Sequence, residues 1–285
     1  MGSTVSRRTD TVMVSYLLLT ALLTALFHQK VPQWQAFVGV HLLASILIGA
    51  LRFLPGNAPA LIQFSRDWYP LVAFPLLYKE VELLAAAFGN WGLTEPIRSL
   101  EVSLFAGHPS IYLSELLAWA PLSEYLHLCY LSHVLLLPVV GGYWYHTRRD
   151  AFYELIFLVS VVLSTSYLFF ILFPVDSPFY LSDPLPASLR DHFFYDIVHY
   201  VADRGGARGG AFPSTHVSVS TTIWLVAWCR QRRIAYWLLL LIPGLIFATV
   251  YGRFHYVLDV VTGLALAGTV FFFWVRSQRA VPDID

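Results

Sequence analysis

Charge is scarce in this chain. Of its 285 residues only 13% are charged, about half the share of a soluble domain. The 18 basic and 18 acidic residues cancel, so there is no net field to draw nucleic acid or an acidic partner, and neither is expected. Cysteine is scarcer still: Cys129 and Cys229 lie far apart, in or at the end of apolar runs. That pattern argues against both a disulfide framework and a thiol-bound metal. No internal repeat, low-complexity tract or flexible linker interrupts the sequence, so a single domain over 1–285 is expected.

What the chain has in excess is apolar surface: 57% hydrophobic residues and a mean hydropathy of +0.62. Runs long enough to cross a bilayer stand near 11–28, 35–54, 125–145, 153–173, 212–229, 235–251 and 256–275. The first follows Arg7 and Arg8 without a small-residue cleavage site and reads as a retained anchor. An eighth run, 68–88, contains Lys79, Glu80 and Glu82. Loop charge decides whether it crosses. With eight crossings and cytoplasmic termini, eleven arginines fall inside, among them Arg148, Arg149, Arg230, Arg232 and Arg233, against six outer cations. Seven crossings would put "HTRRD" and "CRQRR" outside. The expected fold is therefore an all-α polytopic bundle of about eight transmembrane helices, within a range of six to eight. Two outer segments read as interfacial helices: 188–204, with Leu189, Phe193, Ile197 and Val201 every fourth residue, and the less regular 99–119.

Two polar clusters interrupt the later runs. "GGAFPSTHVSVSTT" (209–222) sets His216 at the mouth of one helix, and "TVYGRFHYVLDVVTG" (249–263) sets His255 and Asp259 at the mouth of another. Hydroxyls are tolerable in lipid because they bond back to the preceding turn, whereas an ionisable imidazole there tends to mark function. His255 and Asp259 are four apart, so on a helix the carboxylate can hold one ring nitrogen and leave the other free as nucleophile or base. In the eight-crossing topology both helices start at the outer face, which brings the clusters to one membrane level. The glycine-rich stretch 205–210 lets backbone amides approach a bound ligand closely.

"PSTH" (213–216) and "HYVLD" (255–259) resemble the second and third motifs of the type 2 phosphatidic acid phosphatase superfamily, PSGH and SRxxxxxHxxxD. The resemblance implies a phosphohistidine at His255 oriented by Asp259. It gives His216 the proton transfers, and Ser214, Thr215 and the backbone at Gly210 the phosphate oxygens, with no cofactor and no metal. Two departures stand out. Thr249 occupies the place of the third motif's Arg, and "FPVDSPFYL" (173–181) carries none of the first motif's basic residues. Arg204, Arg208, Arg253 and Lys79 are the candidate replacements. The missing cations make the chain most similar to the inositol phosphorylceramide synthase and sphingomyelin synthase branch, which moves a phospho-headgroup between lipids. The resemblance implies a membrane lipid substrate and a catalytic core over 151–275, and the eight-crossing topology sets the active site at the extracytoplasmic face; residues 1–150 carry no assigned role.

Other readings compete. A lipid phosphate phosphatase would use the same residues, two His and an Asp can form a facial metal triad, and polar residues in helices also line transport pathways. The remaining histidines, His28, His41, His108, His127, His133, His146, His192 and His199, read as interfacial. Arg253 is more simply a snorkelling anchor, and Lys79 with Glu80 and Glu82 an internally paired cluster.

Overall fold

The computed structural model describes residues 2–55, 57–88 and 92–279. Its elements are α1 (Gly2–Leu26), α2 (Trp34–Ala50), α3 (Ala60–Phe88), α4 (Thr94–Phe105), α5 (Pro109–Leu116), α6 (Ala120–Thr147), α7 (Arg149–Leu172), α8 (Pro178–Leu181), α9 (Phe193–Gly205), α10 (Thr215–Arg230), α11 (Arg232–Leu238), α12 (Ile242–Tyr251) and α13 (Val257–Arg279). Apart from an isolated bridge between Val175 and Gly210, the described residues contain no β-structure. The protein is an all-helical, integral membrane bundle.

Six helical stretches are long and apolar enough to cross a bilayer: Val5–Leu26, Trp34–Phe53, Ala120–Thr147, Arg149–Leu172, Arg232–Tyr251 and Val257–Arg279. The two other runs expected to cross differ for separate reasons. In α3 the helix is long, but Arg66, Asp67, Lys79, Glu80 and Glu82 dilute its hydropathy. α10 has 16 residues, about 24 Å at 1.5 Å per residue, and is rich in Ser and Thr. Both nevertheless pack against α7 inside the bundle.

α7 is the central post. Phe152, Leu155, Leu158, Val162, Phe170 and Ile171 are fully buried on it, as expected of a helix apolar on all sides. Around it α1, α3, α6, α10 and α13 pack side by side. The N-terminal helices are joined by a buried polar relay, Thr20 Oγ1 to His41 Nδ1 at 3.4 Å and His41 Nε2 to Glu80 Oε2 at 2.9 Å. Glu80 thus pairs with His41, and Lys79 Nζ turns away to the carbonyls of Arg204 and Gly205, each at 3.0 Å. The cluster is not internally paired, because α3 carries successive side chains to different neighbours.

The interfacial helices also differ in detail from expectation. α9 begins at Phe193, after a short 3₁₀ turn over Ala187–Leu189. Its N-terminus docks on α6, where both oxygens of Glu124 accept the amides of Phe194 and Tyr195 at 2.9 and 3.0 Å, an acid satisfying orphan donors of the first turn. The 99–119 segment splits into α4 and α5.

Candidate active site

Residues 252–256 join α12 to α13 and carry His255. One carbonyl, that of Thr249, accepts the amides of both Phe254 and His255, at 3.0 and 2.9 Å. Arg253 sits in the left-handed region at φ 61°. Its guanidinium is tied to Ser114 Oγ at 3.1 and 2.8 Å and to the Asp183 carbonyl at 2.6 Å. Asp259 is the third residue of α13 and reaches back, its Oδ2 accepting the Tyr256 amide at 2.9 Å, one half of a capping box. The same Oδ2 faces His255 Nδ1 at 3.3 Å. His255 therefore precedes the helix instead of stacking on it one turn away, yet the carboxylate still holds its Nδ1. His255 Nε2 then points at His216 Nδ1, 3.3 Å away.

His216 lies in the first turn of α10. Ser214, fully buried, caps that helix: its Oγ accepts the Val217 amide at 3.4 Å, and its own amide donates to the Asp259 carbonyl at 3.0 Å. The two motifs are thus joined through their backbones. Gly263 makes this contact feasible, since a Cβ there would lie 2.7 Å from the Ser214 carbonyl oxygen. The imidazole of His216 packs against two rings of α6. Tyr130 stacks on it with centroids 4.5 Å apart, and the His133 ring, one turn along, lies 4.5 Å away at a tilt.

Upstream, the 173–181 segment does reach the site, although it lacks the expected cations. Val175 pairs with the glycine loop, donating to the Gly209 carbonyl at 3.1 Å and accepting from Ala211 at 3.0 Å, while Asp176 Oδ1 accepts the Gly209 amide at 2.9 Å. Gly209 has φ 79°, and a Cβ there would meet Pro174 at 2.8 Å, so conformation and space both call for glycine.

Both histidines open on a cavity of about 510 Å³. Its polar end holds Thr215, Gly210, Gly206, Ser177, Tyr180 and Tyr78; its far end is walled by Leu71, Phe74, Pro75, Val134, Leu137 and Pro138. From Tyr78 back to Leu71 is seven residues, so the apolar arm runs about 10 Å along α3. Pro75 and Pro138 bring no amide to their helices, which leaves the carbonyls of Leu71 and Val134 without their usual partners in this wall.

Lys79 is the single Lys or Arg among the described residues lining this cavity. The candidate phosphate-binding arginines go elsewhere. Arg253 is committed to Ser114 and Asp183. Arg208 lies 3.7 Å from Asp176 and over the Tyr180 ring at 4.2 Å. Arg204 covers the Tyr200 ring at 3.9 Å. Ser214 is spent as a helix cap outside the cavity lining. Thr215, Gly210, His216 and His255 line it, and Asp259 stands directly behind His255. Among the described residues, no group of three or more His, Cys, Asp or Glu is arranged to hold a metal ion.

Sequence reasoning missed several neighbours. Glu101 on α4 is fully buried and accepts the Val257 amide at 2.8 Å, closing the N-terminus of α13; His108 Nδ1 lies 3.4 Å from its other oxygen. Burial pushes the Glu101 carboxyl up from the ordinary range against the pull of these partners. An acid buried beside the helix that carries Asp259 has a sequence signal only in its place on an apolar helical stripe. His133, His127 and His41 read as interfacial, yet His133 abuts His216, and His127 and His41 are buried.

The model described as the PAP2 superfamily matches residues 95–273, more than half of the chain, and the protein belongs to that superfamily. Its members are phosphatases or phosphotransferases, so this protein is an enzyme of that kind. No curated protein and no solved structure matches the chain. The matched stretch opens at α4 and closes within α13, leaving α1 to α3 outside it, although α3 walls the cavity.

Proposed function

We propose that the protein transfers a phospho-headgroup between membrane lipids through a phosphohistidine on His255. The observation that carries this reading is the 3.3 Å approach of His255 Nε2 to His216 Nδ1 at the mouth of a largely apolar cavity. Asp259 keeps a proton on His255 Nδ1, so the Nε2 lone pair attacks phosphorus. The N–P bond forms as the bond to the leaving lipid oxygen breaks, and a protonated His216 gives that oxygen its proton. In the second half His216 takes the proton of an acceptor hydroxyl, whose oxygen displaces Nε2 from phosphorus. Both histidines return to their starting states.

A lipid substrate is supported by the 10 Å apolar arm, which suits a hydrocarbon chain while the phosphate reaches the polar end. The preference for transfer over hydrolysis rests on charge. A phosphomonoester near pH 7 carries close to two negative charges and calls for several fixed cations, whereas among the described residues Lys79 is the one Lys or Arg in this cavity's lining. A phosphodiester with one charge suits it better, as does the similarity of "FPSTH" and "HYVLD" to the inositol phosphorylceramide and sphingomyelin synthase branch. We read the chain as one membrane-embedded domain with cytoplasmic termini and an extracytoplasmic site. The arginine-rich end of α10, where Arg230 pairs with Glu154 and Asp150, lies a helix length from His216 and suits the cytoplasmic face.

Product analysis tests the reaction. Purified enzyme supplied with a labelled phosphodiester lipid and a lipid alcohol should form a labelled product only when the alcohol is present. Inorganic phosphate released from a lipid phosphomonoester, without any acceptor-dependent product, would make the enzyme a lipid phosphatase.

A further inference from the structure

The polar end of the cavity holds unspent hydrogen-bond donors. Tyr78, Tyr130 and Tyr180 all line it beside His216 and His255. The Tyr78 hydroxyl accepts the Ala207 amide at 3.2 Å, but its own proton meets no acceptor among the described residues. The hydroxyls of Tyr130 and Tyr180 make no hydrogen bond among those residues. Each of the three residues is half-buried and none of the hydroxyls is sealed off, so among the described residues three phenol protons stand available in one cavity to an acceptor that enters it.

Their positions also converge on the glycine loop. A Cβ on Gly206 would lie 2.2 Å from the Tyr180 hydroxyl, and one on Gly210 would lie 3.4 Å from the Tyr78 hydroxyl. Tyr130 lines the same cavity, its ring stacked on His216. Cations do not compete for this space: Lys79 is exposed with its Nζ on two carbonyls at the end of α9, and Arg204, Arg208 and Arg253 are turned elsewhere. Burial holds the Tyr180 phenol above its ordinary range despite Arg208, so the group stays a neutral O–H donor.

We propose that Tyr78, Tyr130 and Tyr180 bind the non-bridging oxygens of the substrate phosphate as neutral donors, in place of basic side chains. This rests on the phosphoryl-transfer reading above and deepens it. Neutral donors satisfy one negative charge without inviting a second, so the cluster selects a phosphodiester over a dianionic monoester. Tyr78 lies outside the matched family segment, which makes α3 part of the substrate site.

The test compares wild type with Tyr78→Phe and Tyr180→Phe. Each is assayed in detergent with a fluorescent phosphodiester lipid and for inhibition by orthovanadate, an inorganic mimic of the phosphate. Each lost hydroxyl should lower kcat/KM by roughly tenfold to a hundredfold, the range for a hydrogen bond to a charged group, and weaken vanadate by a similar factor with unchanged thermal unfolding. Tyr180→Phe has no intramolecular bond to lose, so it carries the test even if Tyr78→Phe unfolds. Turnover and vanadate inhibition within twofold of wild type in Tyr180→Phe, with a large loss in Lys79→Gln instead, would overturn the proposal while leaving the reaction intact. A wild-type protein that neither turns over lipid phosphates nor responds to vanadate overturns the underlying reading as well.

Discussion

Asp259 Oδ2 serves two partners at once, the Tyr256 amide at 2.9 Å and His255 Nδ1 at 3.3 Å. The carboxylate that closes the first turn of α13 is the one that orients the imidazole in front of it. Helix start and site geometry therefore cannot be separated at this residue. Its other oxygen, Oδ1, is buried and has no partner among the described residues, so the carboxylate is anchored there through Oδ2.

Asp259→Asn should keep the bundle folded and lower kcat by about two to four orders of magnitude, the range for lost proton control at a catalytic group. The amide can still accept from Tyr256 but no longer fixes the Nδ1 proton of His255. Single-turnover rates alongside thermal unfolding in detergent check this; a loss of unfolding temperature equal to that of Asp259→Ala would assign the residue to structure alone.

Gly263→Ala should damage both stability and activity. Its new methyl would meet the Ser214 carbonyl at 2.7 Å and Val217 at 3.2 Å, and a backbone atom cannot swing aside. Overpacking of this kind costs about 1–3 kcal/mol, here spent in parting α10 from α13 and His216 from His255. Gly268→Ala, five residues along the same helix with open space around it, is the control and should leave both properties unchanged.

The motif residues were legible because His216, Asp259 and His255 are polar groups in runs that otherwise favour lipid, and such groups need a reason to be there. The bundle was legible for the same reason, as unbroken apolar runs. What could not be read was which side chains face the site. Tyr78 and Tyr130 resemble the aromatic belt of any membrane helix, and only the approach of α3 to the glycine loop and of α6 to α10 brings them to the cavity. Arg253 illustrates the converse. Its neighbour His255 suggested a phosphate ligand, whereas a left-handed backbone at 253 sends the guanidinium to Ser114 and Asp183. Crossing number was blurred by α3, whose charges find partners on α2 and α9 that its own sequence does not contain.

Glu101→Gln should be at least as stable as wild type at neutral pH. The amide oxygen keeps the Val257 bond without burying a charge. Because the folded-state carboxyl is raised above its unfolded value, the wild type binds protons more readily when folded and loses stability as pH rises through that window; the Gln variant should lose this slope. Glu101→Ala leaves a buried amide unsatisfied and should cost about 1–3 kcal/mol. Unfolding temperatures of the three proteins from pH 4 to 8 decide it.

His199 on α9 gives a second pH signature with the opposite slope. Burial first, then His127, pushes its imidazole down from 6.5 to about 4, among Tyr195, Phe179 and Phe254. Above pH 6.5 the group is neutral folded or unfolded and contributes no slope. Between 6.5 and about 4 the unfolded chain takes the proton that the folded one refuses, so stability should fall as pH drops. His199→Phe should flatten the unfolding temperature across that interval; an unchanged slope would mean that another group titrates there.

The central claim, covalent transfer through His255, is tested most directly by trapping the intermediate. Enzyme mixed with a lipid labelled at phosphorus, without acceptor, and quenched in alkali should retain acid-labile label on the peptide that contains His255. His255→Ala should retain none. Label on another residue, label persisting in His255→Ala, or turnover with no covalent label at any quench time would contradict the account.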